Sequence, residues 1–144
     1  MTQRRYTPRK GESGQGLVEL AISLVVMLIL LAGIVEISRG ILTKAAMQDA
    51  AEEGVIYASI SPTNCTEIQN RILDNLAKVD GVTAGSIQIT YANTKTCASG
   101  TVAKGDLIKI TIQNSYNVST PFIGNLIGNL IFVNVEAKGI VIKV

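Results

Sequence analysis

The feature that most constrains this chain is an apolar run near its N-terminus, from Leu17 to Val35, in which Glu19 is the only ionisable residue. An α-helix rises about 1.5 Å per residue, so roughly twenty apolar residues cross the hydrocarbon core of a bilayer. Few soluble folds could bury so long a helix that is apolar on every side. The run therefore predicts a transmembrane helix, and we place the span at residues 17–37.

The distribution of charge predicts how this helix is oriented. Four basic residues and one acidic residue precede Gln15, whereas nine basic and ten acidic residues follow from there onward. Basic segments stay on the cytoplasmic side of a membrane. We therefore expect a single-pass membrane protein with a cytoplasmic N-terminus and an extracytoplasmic C-terminal domain. Nucleic acid is not an expected partner, because the basic residues lie outside the folded part.

Helical patterns continue beyond the span. No proline lies between Ile34 and Tyr57, and small or apolar residues fall on one helical face at steps of three and four: Met47, Ala50, Ala51, Gly54, Val55 and Ala58. A second helix is expected after Asn64, which forms a capping-box pattern with Glu67. Its predicted buried stripe is Ile68, Ile72, Leu76 and Val79.

Three later segments alternate with a period of two, which is typical of strands. They are "SIQITYA", "DLIKITIQN" and the stretch from Leu130 onward. In the last of these the alternation changes phase, which predicts a β-bulge at Gly139. The segment "TPFIGNLIGNL" before it is expected to form a short helical turn or packed loop. The predicted fold is α+β: a long N-terminal transmembrane helix that extends into a small domain with a second helix and a three-stranded antiparallel sheet.

Glu19 needs an explanation, because a carboxylate at the centre of a membrane costs about 3 kcal/mol and less near the edge. One interpretation is that Glu19 lies at the headgroup level and the helix starts at Leu20. The other is that the chain is cut between Gly14 and Gln15. The new amine of Gln15 could then neutralise Glu19 of another chain whose helix is axially offset, and this pair would set the register between subunits.

Two cysteines, Cys65 and Cys97, follow the span and are expected on the outer side. A disulfide between them would close a loop of about 33 residues and contribute about 3–4 kcal/mol; the alternative is two free thiols. Asp49, Glu52 and Glu53 form a small acidic cluster, which we interpret as a solvated helix face; the alternative is a cation site. The chain has no histidine, and no catalytic set is recognisable. We expect no enzyme activity, no cofactor and no metal site.

The N-terminal third of the chain resembles a known family. "SGQGLVEL", with Gly14 before the cut and Glu19 at the fifth position after it, is similar to the class III signal of type IV pilins and pseudopilins. The apolar run, its end "VEISR" and the later "DAAEEGVIYA" resemble TadE-like pseudopilins of tight-adherence (Flp) pilus systems, and "STPFIGNLIG" resembles the Thr-Pro-hydrophobic-Gly stretch of that family. Leu20 and Ile37 stand where the family usually has aromatic residues.

This resemblance implies a division of the chain and a function. A leader, residues 1–14, would be removed by a prepilin peptidase, leaving a long helix at 15–60 and an extracytoplasmic α+β domain at 61–144. The protein would be a structural pseudopilin-type subunit in the assembly of an adhesive pilus or related secretion filament. Its partners would be the peptidase, other pilus subunits in homo- or hetero-oligomers, a membrane assembly platform and lipid. The alternative is a signal-anchored extracytoplasmic binding module that does not enter a filament.

Overall fold

The computed structural model describes residues 12–77, 79, 81–92, 95–97, 101–120, 123–125 and 128–144. Its elements, in chain order, are helices α1 (Glu12–Ile60) and α2 (Cys65–Asn75), a 3₁₀ turn (Ala84–Ser86), and strands β1 (Ile87–Tyr91), β2 (Lys95–Thr96), β3 (Leu107–Asn117) and β4 (Leu130–Ile140). The chain divides into two compact units, and the second begins at Glu36, within α1.

The first unit is the part of α1 up to Val35. Its large apolar side chains are all exposed, from 39% at Ile29 to 68% at Leu17. By length and composition this helix can cross a membrane. Because burying apolar surface is the main favourable term in folding, a helix with this much exposed apolar surface requires lipid or another protein around it.

The second unit is an antiparallel sheet with α1 and α2 packed on one face. The strand order is β2-β1-β3-β4, and β3 pairs with β4 along its whole length, from Leu107↔Ile140 to Asn117↔Leu130. The predicted α+β class and the predicted helices are confirmed. The sheet has four strands rather than three, because β2 contributes a two-residue pairing to β1. Two residues are too few to show any alternation in the sequence.

The core lies between the helices and the sheet, and both predicted helical stripes face it. The α1 stripe from Met47 to Ala58 is buried, as are Ile68, Ile72 and Leu76, and Val79 packs against this core. The side chain of Asn64 accepts a hydrogen bond from the amide of Glu67, as the capping pattern predicts. The sheet contributes alternate residues of β1, β3 and β4: Ile87, Ile89, Tyr91, Ile108, Ile110, Ile112, Val135 and Ala137.

The predicted bulge at Gly139 is wrong. The β3–β4 register continues without interruption through Gly139, which pairs with Ile108. Val141 stays in phase with the core-facing residues and is buried, whereas Ile140 and Ile142 are exposed on the other side. A Cβ at position 139 would clash with Cγ1 of Val55, so glycine is needed for the close approach of α1 rather than for an extra residue in the strand.

The "TPFIGNLIGNL" segment is only partly described. Residues 123–125 are helical, and the amide of Gly124 donates to the carbonyl of Thr120. Phe122, Leu126 and Ile127 lie outside the described residues, as do residues 1–11 of the predicted leader.

Candidate functional site

The three residues of the predicted processing and pairing site lie in the first turns of α1. Gly14, Gln15 and Glu19 are all exposed. A Cβ added at Gly14 would meet nothing within 4 Å. Residues four apart lie on the same side of a helix, so Gln15 and Glu19 share one face. Within the described residues, this face is available to a second molecule.

The two cysteines are brought together at disulfide distance. Their sulfur atoms lie 2.00 Å apart and their Cα atoms 5.8 Å apart. The pair connects the first residue of α2 to the residue that follows β2. Beside it, the hydroxyl of Tyr91 donates a 2.8 Å hydrogen bond to the carbonyl of Pro62. Burial of this phenol raises its pKa to about 12. Together these contacts fix the turn between α1 and α2 against the sheet.

The three acidic residues of α1 do not converge. Glu52 accepts a 2.9 Å hydrogen bond from Gln48, and Glu53 lies 3.7 Å from the guanidinium of Arg71. That guanidinium also stacks over the ring of Tyr57, 4.2 Å from its centroid. Among the described residues, no group of three or more His, Cys, Asp or Glu side chains could hold a metal ion. The arrangement is that of a solvated helix face with ordinary surface ion pairs.

The most unusual polar group in the second unit is one that the sequence did not single out, Glu36. Its side chain is only 4% exposed, although it follows Val35 directly. One carboxylate oxygen, Oε1, accepts three hydrogen bonds: 3.0 Å from the amide of Ser119, and 3.0 and 2.7 Å from the amide and hydroxyl of Thr120. Hydrogen bonds to a charged acceptor are the stronger kind in proteins.

Arg39 completes this arrangement from the next turn of the helix. Its Nη1 lies 3.7 Å from Oε2 of Glu36 and also donates to the hydroxyl of Ser119. Oε2 has no hydrogen-bond partner, so the guanidinium is its compensating charge. We call these four residues, Glu36, Arg39, Ser119 and Thr120, the Glu36 clamp. It joins the start of the second unit to the loop that follows β3, more than eighty residues later in the chain.

The sequence did contain a signal for the clamp. Glu36 and Arg39 are three residues apart, so they lie on one helical face. They belong to the "VEISR" stretch, and Ser119 and Thr120 belong to "STPFIGNLIG"; each stretch separately resembles a motif of the pseudopilin family. What could not be inferred was that these two stretches meet in space.

The apolar helix of the first unit fits a single-pass membrane protein by its length and composition. Residues 14–55 match the family model TadE, whose description is TadE-like protein. Over these residues the chain is similar to TadE-like proteins of tight-adherence pilus systems. The match includes Gly14, Glu19 and Glu36 and ends before α2. No curated protein and no solved structure matches the chain.

Proposed function

We propose that this protein is a structural pseudopilin-type subunit, without enzymatic activity, that acts in the assembly of an adhesive pilus or a related secretion filament. Cleavage between Gly14 and Gln15 by a prepilin peptidase would release the basic leader. The rest of the chain would stay anchored by α1, with its α+β domain on the extracytoplasmic side.

The observation that carries this proposal is the position of Glu19 on an exposed apolar helix in the region that matches the TadE family. After cleavage, the amine of Gln15 and the carboxylate of Glu19 would lie one helical turn apart on the same face. Each charge alone is costly at lipid depth. Pairing them between neighbouring chains with an axial offset would remove both costs and would favour one register.

A head-to-tail contact of this kind does not close on itself. Each subunit offers an amine to one neighbour and a carboxylate to the other, and repeated heterologous contacts generate a helical filament. Lipid would surround the helix before assembly, and the helices of other subunits would replace it afterwards. The membrane assembly platform and the other pilus subunits are the partners that this mechanism requires.

Cleavage can be tested with a pair of glycine substitutions. Added side chains at Gly14 and at Gly16 both point into open space, so neither change disturbs the described fold. We expect Gly14→Val to remain at full length in cells with an active prepilin peptidase, and Gly16→Val to lose residues 1–14. Intact-mass analysis of membrane-extracted protein measures this directly. Wild-type protein that retains Met1 in such cells would refute the cleavage.

The pairing role of Glu19 needs a separate test. We expect Glu19→Ala to be cleaved and to stay in the membrane, but to enter sheared pilus fractions poorly. Ser23→Ala is the matched control, because Ser23 lies one helical turn further along the same run and is also exposed. If Glu19→Ala reached the filament at the level of Ser23→Ala, the pairing would be wrong. If neither these variants nor the wild type reached a filament, the binding-module alternative would be favoured.

A further inference from the structure

The exposed apolar surface of α1 does not end with the first unit. In the second unit Ile37, Ile41 and Leu42 are 66%, 63% and 68% exposed. On the outer face of β4, Phe132 is exposed to 78%, the highest value among the large hydrophobic side chains described. Ile37, Ile41 and Phe132 line one surface hollow, together with Ile131 and Val133 and with the polar Lys44 and Asn134. We call Ile37, Ile41, Leu42 and Phe132 the apolar base of the second unit.

The charges around the apolar base have one sign. Between Val35 and Lys44 the helix carries one acidic residue, Glu36, which the Glu36 clamp holds in a buried position. The exposed ionisable side chains of this stretch are Arg39 and Lys44, and Lys44 lines the hollow. Apolar side chains bordered by basic ones are the pattern of a surface that lies in the headgroup region of a membrane.

The position of the apolar base along the helix agrees with this. The apolar run from Leu17 to Val35 accounts for about 28 Å of helix, close to the ~30 Å thickness of the hydrocarbon core. Ile37 and Ile41 follow Val35 by about 3 and 9 Å of helical rise. The headgroup region on each side is about 5–7 Å thick. Ile37 therefore falls in the zone between hydrocarbon and water, and Ile41 lies at its outer edge.

We propose that the apolar base contacts the lipid headgroup region of the membrane that α1 spans, with Phe132 as its aromatic anchor and with Arg39 and Lys44 near lipid phosphates. Aromatic side chains are enriched at this depth. The Glu36 clamp contributes by withdrawing the one acidic side chain that anionic lipid would repel. The domain then rests on the bilayer before assembly, and it must leave this surface when a subunit is extracted.

The chain has no tryptophan, so a single tryptophan can report on this contact. Phe132→Trp places it in the apolar base. Ile140→Trp is the matched control: it lies on the same face of the same strand and is also exposed, at 57%. Phe132 shares a hollow with Ile37, whereas Gly139, seven residues later, lies against Val55, which is eighteen residues further along α1. From Phe132 to Ile140, β4 therefore runs along α1 and away from the apolar base. The two reporter positions are about 26 Å apart along the strand.

Both full-length variants are reconstituted into phosphatidylcholine vesicles that contain brominated lipid, a short-range quencher of tryptophan, and far-UV circular dichroism checks their fold. We expect the tryptophan of Phe132→Trp to emit at a shorter wavelength than that of Ile140→Trp and to lose most of its emission to the brominated lipid. The tryptophan of Ile140→Trp should emit as in water and should not be quenched. Equal emission and no quenching at both positions would overturn the proposal. The proposal would also be overturned if the emission of Phe132→Trp were shifted to the blue but not quenched, and if this shift disappeared when the protein was diluted in lipid. That result would assign the apolar base to a contact with a second copy of the chain.

Discussion

Replacing Glu36 by alanine tests whether the Glu36 clamp holds the second unit together. The change removes an acceptor of three hydrogen bonds and leaves the amides of Ser119 and Thr120 without it. Hydrogen bonds to charged groups contribute about 1.5–3 kcal/mol each, but these donors are not fully buried and can bond to water instead. Three such bonds at the low end total about 4.5 kcal/mol, and because water can replace the lost acceptor we expect a loss of about 3 kcal/mol in the free energy of unfolding. A loss of this size lowers the melting temperature of a domain of about 100 residues by about 10 °C or more.

The assay is denaturant unfolding of full-length protein in mild detergent, followed by circular dichroism. Glu36→Gln keeps the acceptor at Oε1 but places an amide opposite Arg39, so we expect a smaller loss, about 1–2 kcal/mol. Glu53→Ala is the control, because this acid is 43% exposed and its ion pair with Arg71 is long, at 3.7 Å. Removing such a surface pair costs about 0–1 kcal/mol.

A local readout separates the clamp from a general loss of stability. In Glu36→Ala, amide hydrogen exchange at Ser119 and Thr120 should accelerate more than exchange in the central part of β3. If Glu36→Ala and the Glu53→Ala control unfolded at the same denaturant concentration, and if exchange at these two amides were unchanged, the carboxylate would not stabilise the loop. The reasoning would then be wrong.

Three further predictions concern the core and the turn that the disulfide holds. Cys65→Ser should lower the free energy of unfolding by about 3–4 kcal/mol relative to the oxidised wild type, since it opens a loop of about 33 residues; reduction of the wild type should remove most of the difference. Gly54→Ala should destabilise by about 1–3 kcal/mol, because the added Cβ would lie 2.6 Å from Cδ1 of Ile72; Gly85→Ala, whose added Cβ meets only one atom at 3.7 Å, should unfold like the wild type. The raised pKa of Tyr91 means that folding favours the neutral phenol, so its contribution is complete below pH 10 and is lost as the pH rises towards 12. The difference in the free energy of unfolding between wild type and Tyr91→Phe should therefore shrink by up to about 3 kcal/mol between pH 9 and 12. A difference that stays constant over this range would contradict this.

The helical part of the fold was predictable because its signals are local and repeated. The stripe from Met47 to Ala58 and that from Ile68 to Val79 each repeat at helical spacing, and every member that the structure describes faces the core. Strands β1 and β3 were predictable for the same reason. The strand β4 was located, but its phase near Gly139 was misinterpreted. Exposed Ile140 and Ile142 mimic core residues in the sequence, whereas the true core position is occupied by a glycine.

The candidate site was predictable only where it depends on short motifs. Gly14, Gln15 and Glu19 stand out because a charge next to an apolar run is conspicuous. Glu36 is equally close to that run, but its partners are more than eighty residues away, and no local period connects them. The carboxylate is buried because a distant loop supplies donors for it, and such a loop cannot be located from helical spacing alone.

The contact between α1 and the segment that follows β4 also determines when the second unit can form during synthesis. Val141 is 1% exposed within the core, and the amides of Ile142 and Lys143 both donate to the carbonyl of Ser59. The C-terminal part of α1 thus stays incompletely covered until residues some eighty positions later have left the ribosome. The core-facing stripe of α1, from Met47 to Ala58, therefore stays exposed through most of translation, which favours early delivery of the nascent chain to the membrane.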